Sequence, residues 1–210
     1  MIGTELITAL GSISTATLHE AMDKQHTLWP SIRPLWRPLK LCGPAFTVRD
    51  RPGDNLTTHW ALAVAPAGSV LVVTHEGDAS CAGWGEIASV AAQTRGLLGL
   101  VTDGVVRDTE ACQRLGFPIF CQGVSIKGTT KAYAGALDAP IACAGTLVYP
   151  GDYIVADEDG IVVVPRSEAE AVLHKAQARD QSEAQMIEQI RGGALTVDLL
   201  GLRGKLPKLQ

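Results

Sequence analysis

The sequence predicts an α/β protein in which at least some strands run parallel. Three observations carry that expectation. Apolar runs of strand length alternate with stretches of helical spacing through the middle of the chain, the pattern of a βαβαβ unit. Two of the helical stretches stop at a glycine, Gly96 and Gly116. The 210 residues, 46% hydrophobic and 19% charged, suit one domain with a full core that needs no disulfide or structural metal.

The elements follow in order. Ser14 to Met22 reads as a short helix with a hydroxyl cap. Trp29 to Pro38 carries Pro30, Pro34 and Pro38 and is expected to be extended and irregular. Gly43-Pro44 opens a strand, Ala45 to Val48. Asp54 to Val64 has one apolar face at helical spacing, with Asp54 at its start. Ser69 to Thr74 is a buried strand. Trp84, Ile87, Ala88, Ala91 and Ala92 recur at helical spacing. Leu97 to Thr102 is a strand ending at Asp103-Gly104, a helix follows from Asp108 to Leu115, and Phe117 to Phe120 returns as a strand. Pro150 to Asp157 leads through Asp159-Gly160 into Ile161 to Pro165, the signature of a hairpin. Ala67 to Asp78 echoes that pattern, as two related sheet units or as shared turn chemistry. Ser167-Glu168-Ala169-Glu170 reads as a capping box opening a long helix that fades near Gly192-Gly193. The tail from Leu195 to Gln210 has no strong pattern and is expected to pack on a neighbouring subunit; no domain boundary is visible from residue 1 to 210.

A net charge of -4 and four scattered Trp argue against a nucleic-acid surface. The five cysteines form no Cys-x-x-Cys and no zinc-like spacing with histidine, so most are expected to be small buried residues in a reducing cytoplasm. No run approaches the ~18 apolar residues of a membrane span.

Two segments carry chemistry. Gly85-Glu86-Ile87-Ala88 opens a helix, whose first amides lack internal partners and present a partial positive charge to an anion. Asp103-Gly104-Val105-Val106-Arg107-Asp108 follows a strand, at the sheet edge where ligands collect in open α/β folds. Arg107 offers a planar fork for a carboxylate, and Asp108 is a hard oxygen ligand for Mg²⁺ or Mn²⁺. Singly, each has a plain structural role: Glu86 as an acid in a first helical turn, Asp108 as a cap, Arg107 in a surface ion pair. Together, at neighbouring strand ends, they predict one crevice for a divalent metal and a small 2-oxo acid. His75 stands where it would edge the same crevice, although a lone histidine is more often structural; His59 lies on the helix after Asp54.

At these residues the sequence resembles the RraA-like family, which includes the class II 4-hydroxy-4-methyl-2-oxoglutarate aldolases. The resemblance runs through Trp84 to Ala88, Gly99 to Asp108 and Gly116 to Phe120. It extends to Cys42 to Val48, Gly53 to Asn55, and Pro150 to Asp152 with Asp157, Asp159 and Gly160, covering roughly residues 14 to 190. It implies an αββα sandwich of the swivelling, phosphohistidine-like domain type with mixed sheets, assembled as a homotrimer or homohexamer. It implies that the amides of Gly85, Glu86, Ile87 and Ala88 hold pyruvate together with Arg107, and that Asp108 binds Mg²⁺. The aldolases carry an acid, often Asp, twenty-one positions before the arginine; here it is Glu86.

The expected activity is metal-dependent cleavage of a 4-hydroxy-2-oxo acid to pyruvate, with oxaloacetate decarboxylation through the same enolate. Arg107, Asp108 and Glu86 are the expected catalytic set, Glu86 orienting a water for proton transfer. The alternative is a non-catalytic regulator that binds ribonuclease E; retention of Arg107-Asp108 favours the enzyme. No Gly-rich loop follows a first strand to bind S-adenosylmethionine, which argues against a methyltransferase.

Overall fold

The computed structural model describes residues 3–205. Its helices are α1 (Gly3–Ser12), α2 (Thr15–Ala21), α3 (Leu56–Val64), α4 (Glu86–Thr94), α5 (Thr109–Leu115), α6 (Ala169–Arg191) and α7 (Thr196–Leu199). The strands are β1 (Arg33–Pro34), β2 (Leu41–Arg49), β3 (Val70–Thr74), β4 (Ala82–Trp84), β5 (Gly99–Thr102), β6 (Val105–Val106) and β7 (Ile119–Cys121). After these come β8 (Gly123–Val124), β9 (Ala136–Leu137), β10 (Ile141–Cys143), β11 (Thr146–Val148), β12 (Tyr153–Ala156) and β13 (Ile161–Val164).

The main sheet is mixed, in the order β1-β7-β5-β3-β2-β12-β13. Strands β2, β3, β5 and β7 are mutually parallel, as the βαβαβ alternation predicts. Strand β2 joins the two halves. Leu41 to Pro44 pair antiparallel with β12, and Ala45 to Arg49 pair parallel with β3. The strand thus begins before the Gly43-Pro44 start that the sequence suggested, because β12 supplies a partner for its first residues.

Period-two alternation then assigns the layers. Val70 and Val72 of β3, Val101, Phe120, Ile154, Ala156, Ile161 and Val163 meet in one central cluster. Their sequence neighbours Leu71, Val73, Leu100 and Ile119 face the opposite way, against α3, α4 and α5. On the other half, Val155, Val162 and Val164 face α1, α2 and α6. The curled sheet therefore has helices on both outer faces and a core between its halves, the α/β/β/α layering the resemblance implied. Burying a side chain such as Leu71, Leu100 or Phe117 contributes roughly 1.5–3 kcal/mol.

Local chemistry explains some helix ends. Ser14 accepts the Thr17 amide at 3.1 Å at the start of α2. The α3 helix starts two residues later than the sequence suggested. Asp54, expected at its start, accepts the Leu56 amide at 2.9 Å, and from outside the buried Asp50 carboxylate accepts the Thr57 and Thr58 amides at 2.9 and 3.2 Å. Helix α6 buries Ala169, Val172, Leu173 and Ala176 at 3–4 residue spacing, and its remaining turns are solvated. The expected capping box does not form there: Glu168 holds the cap position without a side-chain cap bond. The β12–β13 hairpin forms as expected. The echo at Ala67 to Asp78 is confined to turn chemistry, since β3 pairs in parallel on both sides. Residues 206–210, the end of the patternless tail, lie outside the described residues.

Candidate active site

The two chemistry-bearing segments meet on a small parallel sheet, in the order β4-β6-β8. Ala82 pairs with Val105 and Trp84 with Val106, so both strands end side by side. The Arg107 amide continues the ladder by donating to the Trp84 carbonyl at 3.0 Å. The sequence placed this edge on the long strands. The strands that form it are two and three residues long, too short to show a period.

At that edge the backbone of Asp108 is left-handed, with φ 55°, a conformation uncommon outside glycine, asparagine and aspartate. The side chain makes no cap bond to its own helix α5. Instead its Oδ2 accepts the Glu86 amide of α4 at 3.1 Å and lies 3.7 Å from the Arg107 Nε. The plain role of capping α5 is thereby excluded. Gly85 makes room for this approach: a Cβ there would stand 2.5 Å from the same Oδ2 and 3.1 Å from the Arg107 Cγ. Since Glu86 opens α4, the amides of Ile87 and Ala88 at its second and third positions have no acceptor within the helix.

Gly85, Ile87, Ala88, Arg107 and Asp108 line one cleft of about 140 Å³. Glu86 contributes its backbone, while its side chain is exposed and outside the lining. Ile87, expected among core positions, is 78% exposed.

A buried network fixes the floor. The Trp84 indole Nε1 donates to the Ser89 Oγ at 2.7 Å, and Ser89 donates to the Gly85 carbonyl at 3.0 Å. Trp84 also stacks on Phe117, with ring centroids 5.9 Å apart. Ser89 lies 3.5 Å from the Cys112 Sγ, and burial pushes that thiol up from its ordinary value. All five cysteines are unpaired and four of them are buried, as expected.

The histidines divide between a structural and a cleft position. His75 is buried beneath the cleft, where Cβ atoms on Gly83 or Gly104 would each come within 2.5 Å of its ring. Its amide donates to Asp103 Oδ1 and the Thr74 hydroxyl donates to Asp103 Oδ2, both at 2.7 Å. His75 and Asp103 thus lock strand ends together. It is His59 of α3 that lines the cleft, with Asn55 and Lys131. The i, i+4 spacing of Asn55 and His59 could have suggested a shared helix face. Lys131 sits in an irregular segment that no periodicity marks.

Fold and site together define an α/β protein whose small cleft gathers one arginine, one carboxylate and a helix start. The chain belongs to the RraA-like family: the family model "RraA-like: Aldolase/RraA" matches residues 15–163. Among its relatives is a protein of Halalkalibacterium halodurans named "Putative 4-hydroxy-4-methyl-2-oxoglutarate aldolase", 36% identical over 98% of this chain and 95% of that protein. An uncharacterized protein of Pseudomonas syringae pv. tomato superposes with a TM-score of 0.84 at 31% identity, covering 92% of each chain. Streptomyces coelicolor RraAS2, described as an unusual member of the RNase ES inhibitor RraA family, superposes at 0.78 with 32% identity, covering 87% of this chain and 95% of that one.

Proposed function

We propose that the chain is a class II, divalent-metal-dependent pyruvate aldolase, a carbon–carbon lyase. It cleaves a 4-hydroxy-2-oxo acid such as 4-hydroxy-4-methyl-2-oxoglutarate to pyruvate, and it decarboxylates oxaloacetate. The observation that carries this reading is Asp108, held in a left-handed backbone and turned from its own helix toward the start of α4, beside Arg107. Unusual backbone held at a pocket is a common mark of function. The names of the relatives support the same reading.

The donor set suits Mg²⁺ or Mn²⁺. Among the described residues no group of three or more His, Cys, Asp or Glu gathers to hold a metal. An ion that takes one or two carboxylates and completes its shell with water and substrate fits Asp108 alone; an all-protein zinc cage does not. When bound, the ion supplies a Lewis acid for the 2-oxo oxygen.

The chain's own residues account for the rest. Arg107 pairs with the substrate carboxylate, and the Ile87 and Ala88 amides donate to the same end. As the 4-hydroxyl gives its proton to the Glu86 carboxylate and becomes a carbonyl, the C3–C4 bond breaks and its electron pair is taken up as the C2–C3 double bond of an enolate, with the charge on the 2-oxo oxygen. Loss of CO₂ from oxaloacetate leaves the same pyruvate enolate. Arg107 and the α4 start present positive charge where the enolate charge develops. Protonation at C3 then yields pyruvate, with the Glu86 carboxylate at the rim of the cleft as the proposed proton carrier. A homotrimer or homohexamer in the cytoplasm, with the outer part of the pocket completed by a neighbouring subunit, belongs to this proposal. In keeping with it, no described helix is long and apolar enough to cross a membrane.

The test is to follow pyruvate from oxaloacetate and Mg²⁺ with the wild type and with Asp108→Ala. The variant is expected to lose about 100-fold or more; full activity would remove Asp108 as the metal ligand. A second reading, a regulator of ribonuclease E, is favoured by the likeness to RraAS2. It would prevail if the wild type bound that nuclease and turned over neither oxaloacetate nor any of several 4-hydroxy-2-oxo acids.

A further inference from the structure

A second cavity, of about 410 Å³, shares no lining residue with the cleft of Arg107 and Asp108. It lies at the C-terminal ends of the long parallel strands. Arg49 ends β2, Thr74 ends β3 and Asp103 directly follows β5, and all three line it. This is the edge at which α/β sheets collect ligands, and the proposed lyase chemistry uses none of it.

The charges in this cavity are unmatched. Asp103 is 4% exposed. Each of its carboxylate oxygens accepts one bond at 2.7 Å, from the His75 amide and from the Thr74 hydroxyl, and each keeps a further lone pair. Both donors are neutral, and among the described residues the carboxylate has no ion-pair partner. A buried aspartate is rarely left without a positive partner. Glu76 and Arg49 are exposed and line the same cavity. Among the described residues neither side chain has a hydrogen bond or an ion pair, and they do not pair with each other.

The remaining wall is apolar. The Trp29 indole lies against Gly145, where a Cβ would overlap its Nε1, and it is 57% exposed. Pro140 and Ile141 add to the same lining. An aromatic face left in water at a cavity is surface that a ligand can cover.

Two carboxylates, one guanidinium and an aromatic wall match a small molecule with an ammonium, a carboxylate and an apolar body. We propose that this cavity binds an α-amino acid with an apolar side chain. Asp103 and Glu76 take the ammonium, Arg49 takes the carboxylate, and Trp29 covers the side chain. The site is independent of the 2-oxo acid reading of the Arg107 cleft.

Calorimetric titration with L-leucine tests it, against 4-methylpentanoate, which lacks the ammonium, and 3-methylbutylamine, which lacks the carboxylate. The wild type is expected to bind L-leucine with a Kd of about 1 mM or tighter. Each truncated analogue should bind about tenfold more weakly or worse, as for the loss of one charged hydrogen bond. Arg49→Met should abolish the preference over 3-methylbutylamine, and Glu76→Gln should reduce the preference over 4-methylpentanoate. Trp29→Ala should weaken L-leucine about tenfold, while Arg107→Met should leave it within about twofold of the wild type. The three cavity side chains are exposed, so their replacement leaves the core in place. No binding of L-leucine by the wild type at about 10 mM, or equal affinity for all three compounds, overturns the proposal. So does binding that survives Arg49→Met and is lost in Arg107→Met, which would move the ligand to the other cleft.

Discussion

The Asp108 carboxylate lies 3.1 Å from the Glu86 amide, bridging the start of one helix from the cap position of another. This contact brings two chain segments twenty-two residues apart into one site, and it depends on the missing side chain at Gly85.

Gly85→Ala should therefore act on the site more than on the fold. The added Cβ would come within 2.5 Å of Asp108 Oδ2, and the half-exposed Asp108 side chain can swing outward to relieve the clash. A displacement of this size is expected to cost about 100-fold in pyruvate formation with Tm nearly unchanged. Steady-state kinetics alongside a thermal melt would check it; an active variant would mean that the Asp108 position does not matter.

Glu86→Gln separates the backbone of Glu86 from its carboxylate. The bond to Asp108 comes from the amide and survives the change. If the carboxylate carries a proton, kcat should fall by about 100-fold or more while KM for oxaloacetate stays nearly constant. An unchanged kcat would confine Glu86 to its backbone role.

Asp54 predicts an acid-sensitive fold. Burial alone would raise its pKa, but bonds from Thr130, Ala132, Leu56 and Tyr133 outweigh it and hold the value at about 2. A carboxylate depressed in the folded state contributes stability that is present above its unfolded value of about 3.9 and lost as pH falls toward about 2. Asp54→Asn should flatten the pH dependence of Tm in that window. It should also lower Tm at neutral pH, because its amide nitrogen cannot accept the bonds that Oδ2 accepts. A melt series across that range would decide.

Ser89→Ala removes the acceptor of a buried indole N–H, since Trp84 donates to Ser89 at 2.7 Å. An unsatisfied buried donor costs about 1–3 kcal/mol, read as a Tm lowered by several degrees. Ser89→Thr retains the hydroxyl and should recover part of that loss, to the extent that the buried site admits the extra methyl. Equal stability of Ser89→Ala and the wild type would show that the network is not coupled to the fold.

The parts of the fold that were legible were those that repeat. Val70 to Thr74, the α4 and α5 stretches with their glycine stops and the β12–β13 turn all show in the sequence as periods or punctuation, because each is set by residues close in the chain. Strands β4, β6 and β8 have two or three residues and no readable period. The two ends of the site sit on the first two of them. The Asp50 part of the α3 cap was also hidden, because Asp50 reaches the helix from outside.

By itself the sequence determined the family, the parallel α/β alternation and the nearness of Gly85–Ala88 to Arg107-Asp108, since helix starts and strand ends are local properties. Only the tertiary structure decided what those groups do to one another. It turned Asp108 from α5 to the Glu86 amide, buried His75 while bringing His59 to the cleft, and held the Lys131 segment there through Asp54. The physical reason is the same in each case: a side chain's partner is fixed by packing between segments distant in the chain, and no period or propensity records that distance.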